Sequence, residues 1–228
     1  MRTRLTFWML LAGMALGTAA SLPAPAQDTG LNLFHKMQKA LRGADNIAAI
    51  RDFDEIQQAD TSTNDGKSIG HVVKRTRWIK RNYLRIDQVG PGDTYVLYFD
   101  GTGGWEILPG GTVADLAGGE LEFARSYLSS FMLNFWLADR IPGYSIASPS
   151  RNVARISIDG RGSDFFLDPA SWLPVKSRFV WLTDPSRPAR SENETLEWTR
   201  VQGVLFPSRV KNSNSRGGVA DIRTKKSC

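Results

Sequence analysis

Beyond Phe53 the apolar residues of this chain recur at every second position, in short segments divided by turn residues. That period most constrains the fold. Val175, Phe179 and Trp181 alternate with Lys176 and Arg178, and Leu196 and Trp198 stand against Glu197 and Thr199. A strand written this way buries one face and wets the other, which is the mark of an antiparallel sheet. Strands are predicted over residues 71–79, 83–89, 94–99, 105–108, 153–158, 163–167, 175–182, 194–201, 204–210 and 219–224. Asn64-Asp65-Gly66, Pro91-Gly92, Asp100-Gly101 and Gly160-Arg161-Gly162 supply turns between them. Nearly a dozen strands with no βαβ rhythm predict a mainly β fold with a few helices, its sheet strongly curved or barrel-like. Residues 213–218 read as a mobile loop.

Two stretches break the rhythm. Residues 31–41 space their apolar positions for a helix, Gly43 interrupts it, and residues 44–50 offer one or two further helical turns. Residues 119–139 read as one central helix whose second half, Phe131-Met132-Leu133-Asn134-Phe135-Trp136-Leu137, is apolar almost all the way round. A surface helix buries a single stripe, so a helix apolar on most sides must be covered on most sides. It is too short to cross a bilayer, and its expected place is in or across the mouth of the sheet.

The first 26 residues carry Arg2 and Arg4, then an apolar run from Leu5 to Ala20, then the small-residue site Ala24-Pro25-Ala26. This is the layout of a cleaved secretory signal. Pro23 and Pro25 end the run before it reaches spanning length, and no Cys follows to take a lipid anchor. The expectation is therefore a signal over residues 1–26 and one domain over residues 27–228, exported to the periplasm. The single cysteine, Cys228, allows no internal disulfide, so packing and the hydrogen-bonded sheet must hold the fold. The signal accounts for two of the six net positive charges. An exported chain rarely meets nucleic acid, so that partner is not expected. The remaining charge suits an anionic membrane surface or plain solubility.

Signatures of chemistry are missing where they would be legible. His35 and His71 lack metal-type neighbours at a useful spacing, and there is no HExxH, CxxC or GxSxG pattern. The glycine clusters at residues 101–104 and 160–162 join strand to strand, whereas a phosphate loop needs a helix N-terminus behind it. Residues 60–66 lack the oxygen ligands of a calcium loop. Glu120 and Glu122 open the central helix, where negative charge suits the dipole, and Glu192, Glu194 and Glu197 lie on or beside a strand. No carboxylate pair stands out as an acid and base. The reading is of a protein without a cofactor, a metal or catalysis.

An apolar interior is what the residues favour. Strand parity turns Trp78, Leu84, Ile86, Tyr95, Leu97, Phe99, Trp105, Phe165, Phe179, Trp181 and Trp198 inward, and Phe131, Phe135 and Trp136 of the central helix share the same space. Such a set either fills a core or lines a cavity, and parity does not choose between the two.

Trp78-Ile79-Lys80-Arg81-Asn82-Tyr83-Leu84-Arg85 resembles the Trp-x-Lys-Arg-Pro segment of the periplasmic outer-membrane lipoprotein carrier family (LolA/LolB-like), with Asn82 in place of the proline. The strand Tyr95-Val96-Leu97-Tyr98-Phe99-Asp100-Gly101, followed by Trp105, is similar to that family's strand, Asp-Gly turn and Trp. Asp168-Pro169-Ala170-Ser171-Trp172-Leu173-Pro174-Val175 resembles its approach to a late strand, and Val201-Gln202-Gly203-Val204-Leu205-Phe206-Pro207 its closing one. The resemblance implies an unclosed antiparallel half-barrel, with an N-terminal helix and a central apolar helix over the opening. It also implies acyl chains in the interior, Arg81 as a residue holding a helical lid, and a monomer. The cargo would be an acylated lipoprotein or lipid, passed on by membrane proteins that load and unload it. An envelope-stress sensor using the same half-barrel and an enzyme acting on an envelope lipid or glycan stay open as alternatives. The carrier reading requires inward rings that leave room for a guest.

Overall fold

The structure, a computed structural model, describes residues 29–80, 82–181 and 189–227. Residues 1–26, where a signal is expected, and Arg81 and Cys228 lie outside them. Two helices come first, α1 (Gly30–Ala40) and α2 (Ala44–Ala49). Thr29 caps α1 by accepting from the Asn32 amide at 3.3 Å, and Leu33, Phe34 and Met37 form its buried stripe. Six strands follow: β1 (Asp52–Thr63), β2 (Ser68–Ile79), β3 (Tyr83–Gly90), β4 (Asp93–Phe99), β5 (Gly104–Ile107) and β6 (Val113–Asp115). After α3 (Gly118–Ser129) and α4 (Met132–Phe135) come seven more. These are β7 (Tyr144–Ser150), β8 (Val153–Ile158), β9 (Arg161–Leu167), β10 (Pro174–Trp181), β11 (Ala189–Val201), β12 (Val204–Asn214) and β13 (Gly218–Ser227).

All thirteen belong to one open antiparallel sheet, ordered β6-β5-β4-β3-β2-β1-β13-β12-β11-β10-β9-β8-β7. The order is two meanders joined where β13 pairs with β1. One consequence governs everything else. The chain leaves the sheet at one edge, β6, and re-enters at the other, β7, so residues 116–143 must bridge the two edges. That bridge is the apolar helical segment, and it lies against the concave face. The half-barrel expected from the sequence is present, covered by α1 and by the bridge.

Two expectations are corrected, and two strands were not foreseen. The central helix is not continuous: Ser130 ends α3, Phe131 is extended, and α4 is a four-residue helix followed by turns. The Ser129 and Ser130 hydroxyls both donate to the Ser126 carbonyl, and Asn134 Nδ2 donates to Leu128 O at 2.7 Å. These side chains satisfy carbonyls at the helix end. Breaking the helix lets residues 131–138 turn apolar side chains to several surroundings at once. Residues 213–218 are not a loop: β12 runs through Asn214, β13 begins at Gly218, and a tight turn joins them. Strands β6 and β7, at the two edges, carry no alternation strong enough to have been predicted.

Candidate functional site

Register assigns the concave face strand by strand. Phe53 faces Trp78, Trp78 faces Leu84, Leu84 faces Phe99 and Ile86 faces Leu97 across β1 to β4. On the other meander Ala154 faces Phe165 and Ile156 faces Ser163. Against this face the bridge sets Phe131, Leu133, Phe135, Trp136 and Leu137, all buried. The rings interlock. Phe131 stacks on Trp78 at 5.5 Å and meets Phe53 edge-on at 5.8 Å. Phe53 stacks on Phe206 at 5.1 Å, which Trp136 approaches at 5.5 Å. Phe135 meets Phe165 at 5.9 Å and Tyr144 at 6.0 Å. The chain's own bridge thus fills one half of the concave face as a plug. Two clefts, of about 590 and 510 Å³, lie elsewhere. One is on the convex face by Asp60, Arg209 and Asp221, and the other is beside Arg140 and Tyr144 at the β7 edge.

Most of the residues expected inside are there. Trp78, Leu84, Ile86, Leu97, Phe99, Phe131, Phe135, Trp136 and Phe165 are buried. Tyr95 and Phe179 are half-buried on the same face. Burial, with the Glu106 and Glu120 carboxylates nearby, pushes the Tyr95 hydroxyl well above the ordinary tyrosine range. The backbone of Trp181 pairs with Ala189 in phase with Phe179; its side chain lies outside the described residues.

Trp105 does not face inward. It pairs with Tyr98 and stacks on it at 5.4 Å, on the convex face, and the inward position beside Phe99 belongs to Gly104. The turn after β4 shifts the phase by one, which reverses every side chain that follows. Trp198 is half-buried against the core, but it pairs with Pro207, one residue out of phase with the buried Phe206. Register breaks at Thr195/Glu197 and Glu197/Trp198 put it there and leave Leu196 exposed.

Further along β1, β2, β12 and β13 the concave face continues through Ala59, Val72, Val210 and Ile222, which are half-buried. The face therefore has a dry half under the plug and a more open trough beyond it. Between them runs a polar band that alternation did not announce. Glu55 and Thr76 face each other there, both buried, with Lys74 opposite Gln57. Thr224 Oγ1 donates to Glu55 Oε1 at 3.0 Å, and Lys74 Nζ donates to the Tyr127 hydroxyl of α3 at 3.3 Å. Burial raises the Glu55 pKa, although Lys74 and Thr224 oppose the rise. Tyr127, and then Glu55, hold the Lys74 ammonium above the ordinary lysine value against the effect of burial. The legible signal for this band was a charged residue in phase with Phe53 on one strand and with Trp78 on the next.

The plug is tied down by few polar contacts. Gln38 of α1 donates from Nε2 to Trp136 O at 2.9 Å and to Asp139 Oδ1 at 2.8 Å, and His35 Nε2 lies 3.3 Å from Asp139 Oδ2. Tyr144 Oη donates to Ser129 O at 2.5 Å. Trp78 Nε1, buried beneath Phe131, has no hydrogen-bond partner among the described residues. Three of the five carboxylates considered from sequence are held in ion pairs. Glu192 pairs with Lys176 and Arg178, Glu197 with Arg209, and Glu122 with Arg125. Among the described residues no group of His, Cys, Asp and Glu could hold a metal ion.

No family model matches the chain, and no curated protein is similar to it in sequence. Solved structures are similar in fold. A LolA superfamily protein from Nitrosomonas europaea is 14% identical, with a TM-score of 0.55, covering 84% of this chain and 92% of its own. A domain from Vibrio parahaemolyticus assigned to outer membrane lipoprotein sorting is 13% identical, with a TM-score of 0.55, covering 86% and 92%. A DUF1329 family protein from Desulfovibrio piger is 13% identical, with a TM-score of 0.53, covering 84% and 90%. The chain shares with these structures the fold of an open antiparallel sheet with helices over one face.

Proposed function

We propose that this chain is a carrier or binder of acyl chains in the cell envelope, and that it shelters lipid or the acyl groups of a lipoprotein in the concave face of its half-barrel. The observation that carries this reading is the plug: residues 131–137 occupy the concave face with apolar side chains on a segment hydrogen-bonded to the rest of the fold at few points. A core with no guest to admit could be closed by one amphipathic helix. Here the bridge is broken into short pieces whose side chains stand where a guest's methylenes would lie.

The energies make exchange feasible. Burial of the five large apolar residues of the plug contributes on the order of 10 kcal/mol. A sixteen-carbon chain removed from water gains about 12 kcal/mol at ~0.8 kcal/mol per methylene. The two are close enough for one to replace the other. The rings as packed leave no room for a guest, so the reading is of a carrier that is closed when empty: Phe131, Phe135 and Trp136 must give way, and Trp78, Phe99 and Phe165 are the acyl contacts then uncovered. The choice of an envelope cargo is supported by the fold neighbour assigned to lipoprotein sorting. No cofactor enters the reading.

The test is to purify the full chain natively from an envelope extract, identify bound lipid by mass spectrometry, and titrate the stripped protein with a fluorescent fatty acid. Co-purified acyl species, or saturable uptake that shifts tryptophan emission, is the expected result. A preparation that neither carries nor accepts acyl chains overturns the proposal.

A further inference from the structure

We infer that Lys74 is the head-group site of the half-barrel, and that the cargo it selects is an acyl amphiphile with an anionic head, a carboxylate or a phosphate. The inference rests on the acyl-binding reading and adds the chemistry of the ligand's polar end.

Lys74 lies on the concave face by register, opposite Gln57 on β1 and Gln88 on β3. It stands four residues along β2 from Trp78, at the line where the dry half gives way to the open trough. Its ammonium has three donors, and among the described residues its one hydrogen bond is to the Tyr127 hydroxyl. Glu55 supplies negative potential but no direct bond, because its carboxylate is turned to Thr224. Three arginines of the convex face, by contrast, bond a carboxylate directly. Arg75 bonds Asp54, Arg155 bonds Asp164 at 2.6 Å and Arg209 bonds Asp221 at 2.8 Å. An interior cation without a directly bonded counterion is costly, and the cost falls when an anion arrives. A lysine acts as a point charge with rotatable donors, so it accepts a carboxylate or a phosphate without the fork geometry that arginine imposes.

The position also orders the ligand. A head at Lys74 directs the chain along the face toward Trp78 and the space that Phe131 fills. An anion that takes the ammonium from Tyr127 removes one contact between α3 and β2, four residues before the plug begins. Head-group recognition and plug release would then share one residue.

The experiment compares dodecanoate with dodecanol, which share a chain and differ in charge, by tryptophan fluorescence titration of the full chain. Dodecanoate is expected to bind about tenfold tighter, the worth of one charge-assisted hydrogen bond. In K74M the preference should vanish, and in K74R it should persist. Equal binding of the two by the wild type, or a preference that survives K74M, overturns the head-group assignment and leaves the acyl-chain reading intact. Binding of neither ligand overturns both. Acetate and inorganic phosphate are run alone; saturable binding of either at the concentrations that suffice for dodecanoate makes this a bare anion site and sinks the inference. The wild-type comparison needs no variant, so the inference stays testable if K74M does not fold.

Discussion

Gln38 on α1 and Trp136 in the bridge are joined by a 2.9 Å hydrogen bond from a buried side-chain amide to a main-chain carbonyl. The same amide also holds Asp139. The N-terminal helix is therefore the clasp of the plug. It packs on β7 and β8, so the clasp is anchored to the sheet edge where the bridge re-enters.

Replacing Gln38 by Ala leaves Trp136 O without its donor in a dry setting, which costs about 1–3 kcal/mol. Urea unfolding should show that loss. If the plug is displaceable, Q38A should also bind a fluorescent fatty acid more tightly than the wild type and become cleavable near residue 139 under limited proteolysis. Weaker fatty-acid binding would count against the clasp.

Phe131 touches both Phe53 and Trp78, so Phe131→Ala should destabilise the empty protein by about 3–5 kcal/mol, the range for a fully buried ring. For a plug that stands in for cargo, saturating acyl ligand should raise the melting temperature of F131A by more than that of the wild type. Equal increments would mean that Phe131 is ordinary core.

Glu55 gives a pH dependence whose sign is fixed. Burial raises its folded pKa above the ordinary value of 4.5, so the folded chain holds this proton more tightly than the unfolded chain. The resulting stabilisation is complete below about pH 4.5 and is lost as pH rises through the folded value. Glu55→Gln removes that loss. The difference in stability, E55Q minus wild type, should grow from pH 4.5 upward and then level off, as read from denaturant midpoints across pH. A difference that shrinks with rising pH would show that Lys74 and Thr224 outweigh burial.

Gly30 opens α1 against the backbone of β7. A methyl added there would lie 2.4 Å from the Ala147 carbonyl carbon, so the helix start must move. Gly30→Ala should lift α1 off the edge strand and weaken the Gln38 clasp with it. Hydrogen exchange should then quicken in residues 30–40 and in 131–138 together, with the strands β1 to β4 unchanged. Faster exchange confined to α1 would separate the helix from the plug.

The convex face shows why alternation alone did not locate the site. Arg75 with Asp54, Arg85 with Asp87 and Arg155 with Asp164 are charges in the outward phase, as period two requires. Glu55 and Lys74 are charges in the inward phase, and a reading of alternation passes over them as noise. Trp105 and Trp198 fail for a related reason: a turn and a pair of register breaks each shift the phase. Nothing local marks such a shift, because it is set by the partner strand.

What the chain alone determined is the antiparallel sheet and the fate of residues 131–137. Period two is a local property, and a segment apolar on every side cannot rest in water whatever surrounds it. Tertiary structure decided which strands lie at the edges, and so that the apolar segment must bridge them. It also decided that the rings interlock and that Lys74 meets Tyr127 from a helix more than fifty residues away. Those outcomes depend on pairing between distant strands and on the fit of side chains from both meanders. No single stretch of sequence contains both members of such a contact.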